Sequence, residues 1–417
     1  MSVSKDVIKQ CLISKQREIE EAVIVNRPVS FEENGNYVIV GVRHVGKSYM
    51  LYQRVRQLHE AGTGWDEILF VDFEDERLAE FQTEDFNSLI EAHLELYGKK
   101  PIVFLDEVQN IPYWDKFVRR LADAKYRVYV TGSNAKMLSK EVATTLGGRF
   151  FIYDVYPYSL REYLSALHVE LKEHWEYDTI QRSEVKRHLN EYLYYGGLPE
   201  ILSFKSKRSM LSSLYQKIYL GDICARNNIK NDRILNILIK KMAESVKQPL
   251  SFHRLRNVIV STGSAISVPT VIEYVAYAAD SWLVVPIENE VGKLTEKELQ
   301  KKYYFIDNGL LNLFLINSET SLLENMVAME LCRRYGKDNV YYLNTDKEID
   351  FLVPEERLAV QVSYSIKEHS TWEREVPPLQ KYAKSHPDWK CLLITYDEEG
   401  TEEGITIEPV WKWLLLE

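Results

Sequence analysis

Cysteine is scarce. Cys11, Cys224, Cys332 and Cys391 are the only four in 417 residues, and none forms a C-x-x-C pair, so neither a zinc knuckle nor a disulfide framework is indicated. Long apolar runs are also missing. No segment approaches the roughly eighteen consecutive apolar residues that a membrane-spanning helix needs, and the opening "MSVSKDVIKQCLISKQREIEE" is charged and helix-patterned rather than signal-like. A cytoplasmic protein with no membrane partner is expected. Positive charge is in deficit too: the net charge of −10 argues against a chain coated in nucleic acid. Low-complexity tracts and internal repeats are absent, and the nine histidines are scattered. What is present is ordinary for a globular protein, 45% hydrophobic and 27% charged. A chain of this length divides into two to four domains, because single cores stop growing well below it.

The most informative stretch is "NYVIVGVRHVGKSYMLYQRVRQLHE". Tyr37 to Val40 reads as a short buried strand, and from Lys47 onward Met50, Leu51, Val55 and Leu58 recur at helical spacing. Between them Gly41, Val42, Arg43, His44, Val45, Gly46, Lys47 and Ser48 fit G-x-x-x-x-G-K-[ST], with Tyr49 following. The glycines let backbone N–H groups turn inward, and the helix N-terminus adds positive potential. Lys47 then reaches the β and γ phosphates, and Ser48 carries a hydroxyl for Mg²⁺. His44 reads as a spacer. The competing reading is a plain glycine-containing strand-to-helix turn.

A phosphate loop of this kind needs a carboxylate at the end of a neighbouring strand and a base for water. "PIVFLDEVQN" supplies both: a continuous apolar run, as in a parallel strand buried on two faces, ends in Asp106 on the metal side and Glu107 as candidate general base. "EILFVDFED" and "VYVTGSN" add further strands. Ser133 and Asn134 at the end of the latter either touch the γ-phosphate or form a polar turn. Arg149, in "LGGRFFIYDVYP" before a fifth strand, either stabilises charge on a neighbouring subunit's nucleotide, which requires a homo-oligomer, or caps the Gly147-Gly148 turn.

Downstream, residues 159 to 217 are helix-patterned, with a loop at "YYGGLP". Between Arg226 and Arg256, eight Lys or Arg face two acids, a run that is either a solvated helix face or a nucleic-acid contact. The stretch 249 to 287 then shows a helix, a turn at Thr262-Gly263-Ser264, a second helix with Pro269 in its first turn, and an apolar strand, a winged-helix layout. The second helix has no Lys or Arg, which favours packing or a partner over base reading.

Taken together, "GVRHVGKS", "FEDERL", "FLDEVQNI", "TGSNAKML", "LGGRF", "YYGGLPE", "YFIDNGLLN", "LLENMVAMEL" and "EIDFLV" resemble the bacterial and archaeal AAA-type ATPases that carry a winged helix and a C-terminal restriction-endonuclease-like domain. Loops of that family commonly have two basic residues where Arg43 and His44 stand, and Thr at Ser48; Ser keeps the metal-directed hydroxyl. Nucleases of that fold use a helix Glu, a strand Asp and a Glu-x-Lys. Here Glu324 and Asp350 are kept, but Gln361 and Ser363 replace the last pair, with Lys367 as a distant substitute. An inactive domain is expected, with Glu324 a helix-start acid and Asp350 a strand-edge carboxylate.

The expected fold class is α/β: a P-loop NTPase parallel sheet (36–158) after an N-terminal helical arm (1–35), then a helical lid (159–230), a winged-helix-like domain (231–292) and a degenerate nuclease-like domain (293–417). The expected activity is Mg²⁺-dependent ATP hydrolysis by a switch or motor acting on a protein or DNA client. ATP and Mg²⁺ are the cofactors, and the alternative is an ATP-dependent DNA-binding protein or nuclease.

Overall fold

A computed structural model describes residues 3–133, 140–230, 232–292, 299–316, 318–344 and 348–416. The chain divides into two compact units, Met1–Val155 and Tyr156–Glu417.

In the first unit, β1 (Asn36–Val40), β2 (Ile68–Asp72), β3 (Ile102–Asp106), β4 (Val128–Gly132) and β5 (Phe150–Asp154) form one sheet in the order β2-β3-β4-β1-β5. All its pairings are parallel. The apolar runs of β1 to β4 are buried almost throughout, as a sheet covered on both faces requires. Register is marked by a row of rings, one from each strand. Phe70 stacks on Phe104 at 5.8 Å, Phe104 on Tyr129 at 4.8 Å, Tyr129 on Tyr37 at 5.6 Å, and Tyr37 on Phe151 at 5.3 Å. Each such pair adds about 0.5–1.5 kcal/mol beyond its buried area. A slip of one residue would turn a strand's ring to the other face.

Among the described residues, five α-helices join the sheet: α1 (Lys5–Glu21), α2 (Lys47–Glu60), α3 (Phe86–Tyr97), α4 (Trp114–Asp123) and α5 (Lys140–Leu146). The sequence suggested an arm for the first 35 residues. Instead α1, capped by Ser4, buries Ile8, Cys11, Leu12 and Ile19 and packs on α3 and β2. Its apolar stripe makes it part of this unit.

The second unit begins with helices Leu160–Ala166, Thr179–Tyr195 and Lys207–Lys217, the last running into a π-helical segment, Ile218–Ala225. Helices Asp232–Glu244, Phe252–Ser261 and Val268–Asp280 follow, the last capped by Ser267 with Pro269 in its first turn. A separate mixed sheet then combines β6 (Val284–Asn289), β7 (Lys302–Phe305), β8 (Tyr341–Asn344), β9 (Glu348–Val353), β10 (Leu358–Val362), β11 (Lys390–Thr395), β12 (Gly400–Glu402) and β13 (Ile405–Pro409). Their order is β12-β13-β11-β10-β9-β8-β6-β7. The boundaries expected near 230 and 292 therefore fall inside one compact unit.

Candidate functional site

The loop after β1 opens at the C-terminal edge of the first sheet, where ligands of open parallel sheets collect. Gly41 must be glycine because a Cβ there would lie 2.5 Å from the Val155 carbonyl oxygen. Val42 and Val45 are fully buried, so they anchor the loop and leave its backbone to face outward. His44 and Gly46 adopt left-handed backbone, φ 61° and 96°, and Gly46 caps α2. Those two turns place Lys47 and Ser48 at the first turn of the helix. Arg43 leans away onto Glu74 at 2.8 Å, and the Tyr49 ring is exposed beside Tyr52.

Lys47 is buried. Its Nζ lies 3.2 Å from Glu107 Oε1 and 3.3 Å from the Val42 carbonyl oxygen. Glu107 sits just past β3 in left-handed backbone, φ 49°, an uncommon conformation for a residue with a side chain and one that gathers at functional sites. Its N–H donates to Thr131 Oγ1 at 2.9 Å, and its Oε2 accepts from Gln109 Nε2 at 2.5 Å. Asp106, one residue earlier, accepts from the Thr131 hydroxyl, and the Ser48 hydroxyl lies close enough to favour its ionised form.

The two acids part electrostatically. Burial, then the neighbouring charges of Glu107 and Asp72, push the Asp106 carboxyl up to about 7. Burial pushes Glu107 up as well, but Lys47 and the Gln109 amide outweigh it and hold that carboxyl below its usual range. One site thus holds an ionised acid beside a cation and a second acid that a divalent ion would discharge. The donor set fits a polyphosphate with its metal: a buried ammonium, a loop backbone left facing outward by two buried valines, and a serine hydroxyl beside a carboxylate.

The AAA domain family matches residues 33–164 of the chain, and a domain of unknown function (DUF8612) matches residues 186–322. The uncharacterized protein MJ1544 of Methanocaldococcus jannaschii is 31% identical over 438 residues, covering 99% of this chain and 96% of that protein. An uncharacterized protein of Haemophilus influenzae is 30% identical over 393 residues, covering 91% and 94%. The chain belongs to the same family as these two proteins. Among solved structures, the Walker-type ATPase PABY2304 of Pyrococcus abyssi aligns over 75% of this chain and 96% of its own at 11% identity, with a TM-score of 0.40.

Within the AAA domain, Ser133 is buried at the end of β4, and its Oγ lies 3.4 Å from Gln109 Nε2. Asn134 lies outside the described residues. Arg149 stands before β5, at the opposite end of the strands from the loop. Its Nε pairs with Asp123 Oδ1 at 2.8 Å, and its guanidinium lies over Gly147. The structure therefore brings Lys47, Ser48, Asp106, Glu107 and Ser133 together and leaves Arg149 apart from them. Gln109 joins the group although no sequence motif assigned it a role; its signal was its place two residues after the candidate base.

In the second unit the acids differ from expectation. Glu324 was read as a helix-start acid, yet it lies in the second turn of helix Glu319–Tyr335 and is buried, accepting from Tyr304 Oη at 2.8 Å. Asp350 does not stand at the strand's edge: β9 begins two residues earlier at Glu348, and Val362 N–H donates to its Oδ2 at 3.0 Å. Both acids face Lys302, which is fully buried in β7 with Nζ 3.5 Å from Asp350, 3.8 Å from Glu324 and 3.3 Å from Glu348. Gln361 bridges Asp350 N–H and Glu375 Oε2. Lys367 is exposed. The cation comes from β7, and among the described residues no group of three or more His, Cys, Asp or Glu is arranged to hold a metal ion. In the basic run, Arg226 pairs with Asp222 at 3.4 Å and Lys241 with Glu244 at 2.8 Å.

Proposed function

We propose that this protein is a Mg²⁺-dependent ATPase switch whose C-terminal sheet is not catalytic. The observation that carries the reading is the buried convergence of Lys47, Glu107, Ser48 and Asp106 on one loop. The backbone from Gly41 to Ser48 would cradle the phosphates, Lys47 would neutralise them, and Ser48 and Asp106 would hold Mg²⁺. The metal, when bound, would supply charge neutralisation to the polyphosphate. Glu107, freed of Lys47 as the lysine turns to phosphate, takes the proton of the attacking water. Arg149, placed away from its own loop, serves a trans role only in a homo-oligomer.

For the second unit, Lys302 supports the non-catalytic reading, because its ammonium already supplies the positive charge between Glu324 and Asp350. The test is fluorescent-ATP binding and phosphate release by the full chain, with Lys47→Ala as the blank and with or without duplex DNA. Binding and release by wild type alone support the ATPase. Stimulation by DNA makes nucleic acid the client, whereas indifference directs the search to a protein. Wild type no better than the blank ends the reading.

A further inference from the structure

Gln109 sits in the single turn Val108–Asn110 that follows Glu107. Its amide has two ends with different fates. A carboxylate only accepts, so the nitrogen must face Glu107, and it does so at 2.5 Å, with the Ser133 hydroxyl oxygen at 3.4 Å. This fixes the other end of the amide. Gln109 Oε1 is buried and has no hydrogen-bond partner among the described residues. A buried amide oxygen without a donor is costly, about 1–3 kcal/mol. Such an atom beside a candidate base calls for a donor that the described residues do not provide.

We infer that Gln109 positions the attacking water. The inference rests on the ATPase reading above and adds a residue to it. The amide oxygen accepts one hydrogen of the water while Glu107 accepts the other, so an oxygen lone pair is left directed at the γ-phosphorus. A bond forms from the water oxygen to that phosphorus as its bond to the β–γ bridging oxygen breaks. The proton passes to Glu107, and the electron pair leaves with ADP. Gln109 has a second task, since its N–H holds the Glu107 carboxylate in place after Lys47 has moved to the phosphate.

The test is Gln109→Leu in the full-length chain, which keeps the bulk and removes both ends of the amide. Expected are a fluorescent-ATP dissociation constant within about twofold of wild type, an unchanged melting temperature, and a turnover rate lower by about 100-fold, the loss typical of one transition-state hydrogen bond. Gln109→Asn, one methylene shorter, should recover part of the rate. Adding Gln109→Leu to Glu107→Gln should slow the latter little further, because the two residues act on one water. Unchanged turnover overturns the inference, as does an affinity or melting loss as large as the rate loss, which would make Gln109 a brace. A wild type that turns over ATP while Gln109→Leu does too leaves the ATPase standing and removes only Gln109. A wild type that neither binds nor hydrolyses ATP removes both.

Discussion

Replacing Glu107 with glutamine deletes the charge that faces Lys47 without disturbing the left-handed turn at that position, which both side chains meet equally. The pair is buried, at 4% side-chain exposure for the lysine and 11% for the acid, and its separation is 3.2 Å. At an effective dielectric of about 20 the attraction over that distance is about 5 kcal/mol. Desolvation offsets much of this in the intact pair, but removing one partner leaves the other uncompensated, at a cost of about 3–5 kcal/mol. The ligand-free variant should therefore melt earlier. A bound phosphate returns a counter-charge to Lys47, so part of that cost is regained on binding. Recovery of only about 2 kcal/mol would tighten ATP binding about thirtyfold. The assay is a thermal scan with and without ATP beside a fluorescent-nucleotide titration: the melting deficit should close as nucleotide saturates. Turnover should fall by about 10²–10⁴-fold if Glu107 is the base. A variant with unaltered melting and unaltered affinity would show that the contact carries no energy, and normal turnover would strip Glu107 of its catalytic role.

Lys47→Ala should weaken ATP binding by at least about 100-fold, since it truncates a buried charge-assisted contact, read by the same titration. The Mg²⁺-dependent part of nucleotide affinity should climb as pH rises toward 8 and fade below the raised Asp106 value of about 7, because the metal requires the ionised acid; a flat Mg²⁺ dependence between pH 5.5 and 8 would refute it. Burial, then the Asp350 charge, push Glu324 up to about 8 from an ordinary 4.5. The folded chain thus holds that proton more tightly than the unfolded one, and stability from this group is full below pH 4.5 and lost as pH rises toward 8. Glu324→Gln should flatten that slope and stay within about 1 kcal/mol of wild type near pH 6, whereas Lys302→Met should cost about 3–5 kcal/mol by stranding Asp350. Unfolding followed by tryptophan fluorescence separates the two.

The loop and the Asp106-Glu107 pair were legible in the sequence because their information is local: eight residues in register fix the loop, and an apolar run fixes where its carboxylates emerge. Lys302 was not legible. It stands at the head of "KYYF" like any strand-flanking lysine, and only the fold shows it fully buried with acids 22 and 48 positions away. Glu324 was misread because the helix begins five residues earlier than the acid, after Ser318, whose side chain makes no capping hydrogen bond. Gln109 lay in plain view, but the orphaned amide oxygen that marks it exists only in three dimensions. The α1 helix failed as an arm because an amphipathic pattern says that a face is buried, not against what.

The strings that carried the family resemblance divide physically into two kinds. In the second unit "YYGGLPE" and "YFIDNGLLN" meet: Asp307 accepts from Gly197 and Gly309 N–H groups at 2.8 Å each, and a Cβ on Gly196 would fall 2.0 Å from its carboxylate. Asn308 Nδ2 donates to the Leu193 and Leu322 carbonyls, and Asn325 ties Phe305 to Asn308. These buried groups have found their partners within the chain, as groups that hold a fold must. In the first unit the corresponding groups would be exchangeable on the proposed reading: Lys47 is held by a carboxylate that a phosphate would replace, and among the described residues Gln109 keeps an acceptor unfilled. Chemistry requires groups whose partners change during a cycle, and only the loop edge of the AAA sheet has them among the motifs described. On this reading the Lys302–Asp350 contact serves stability, and substituting either partner should move the melting temperature while leaving ATP turnover alone.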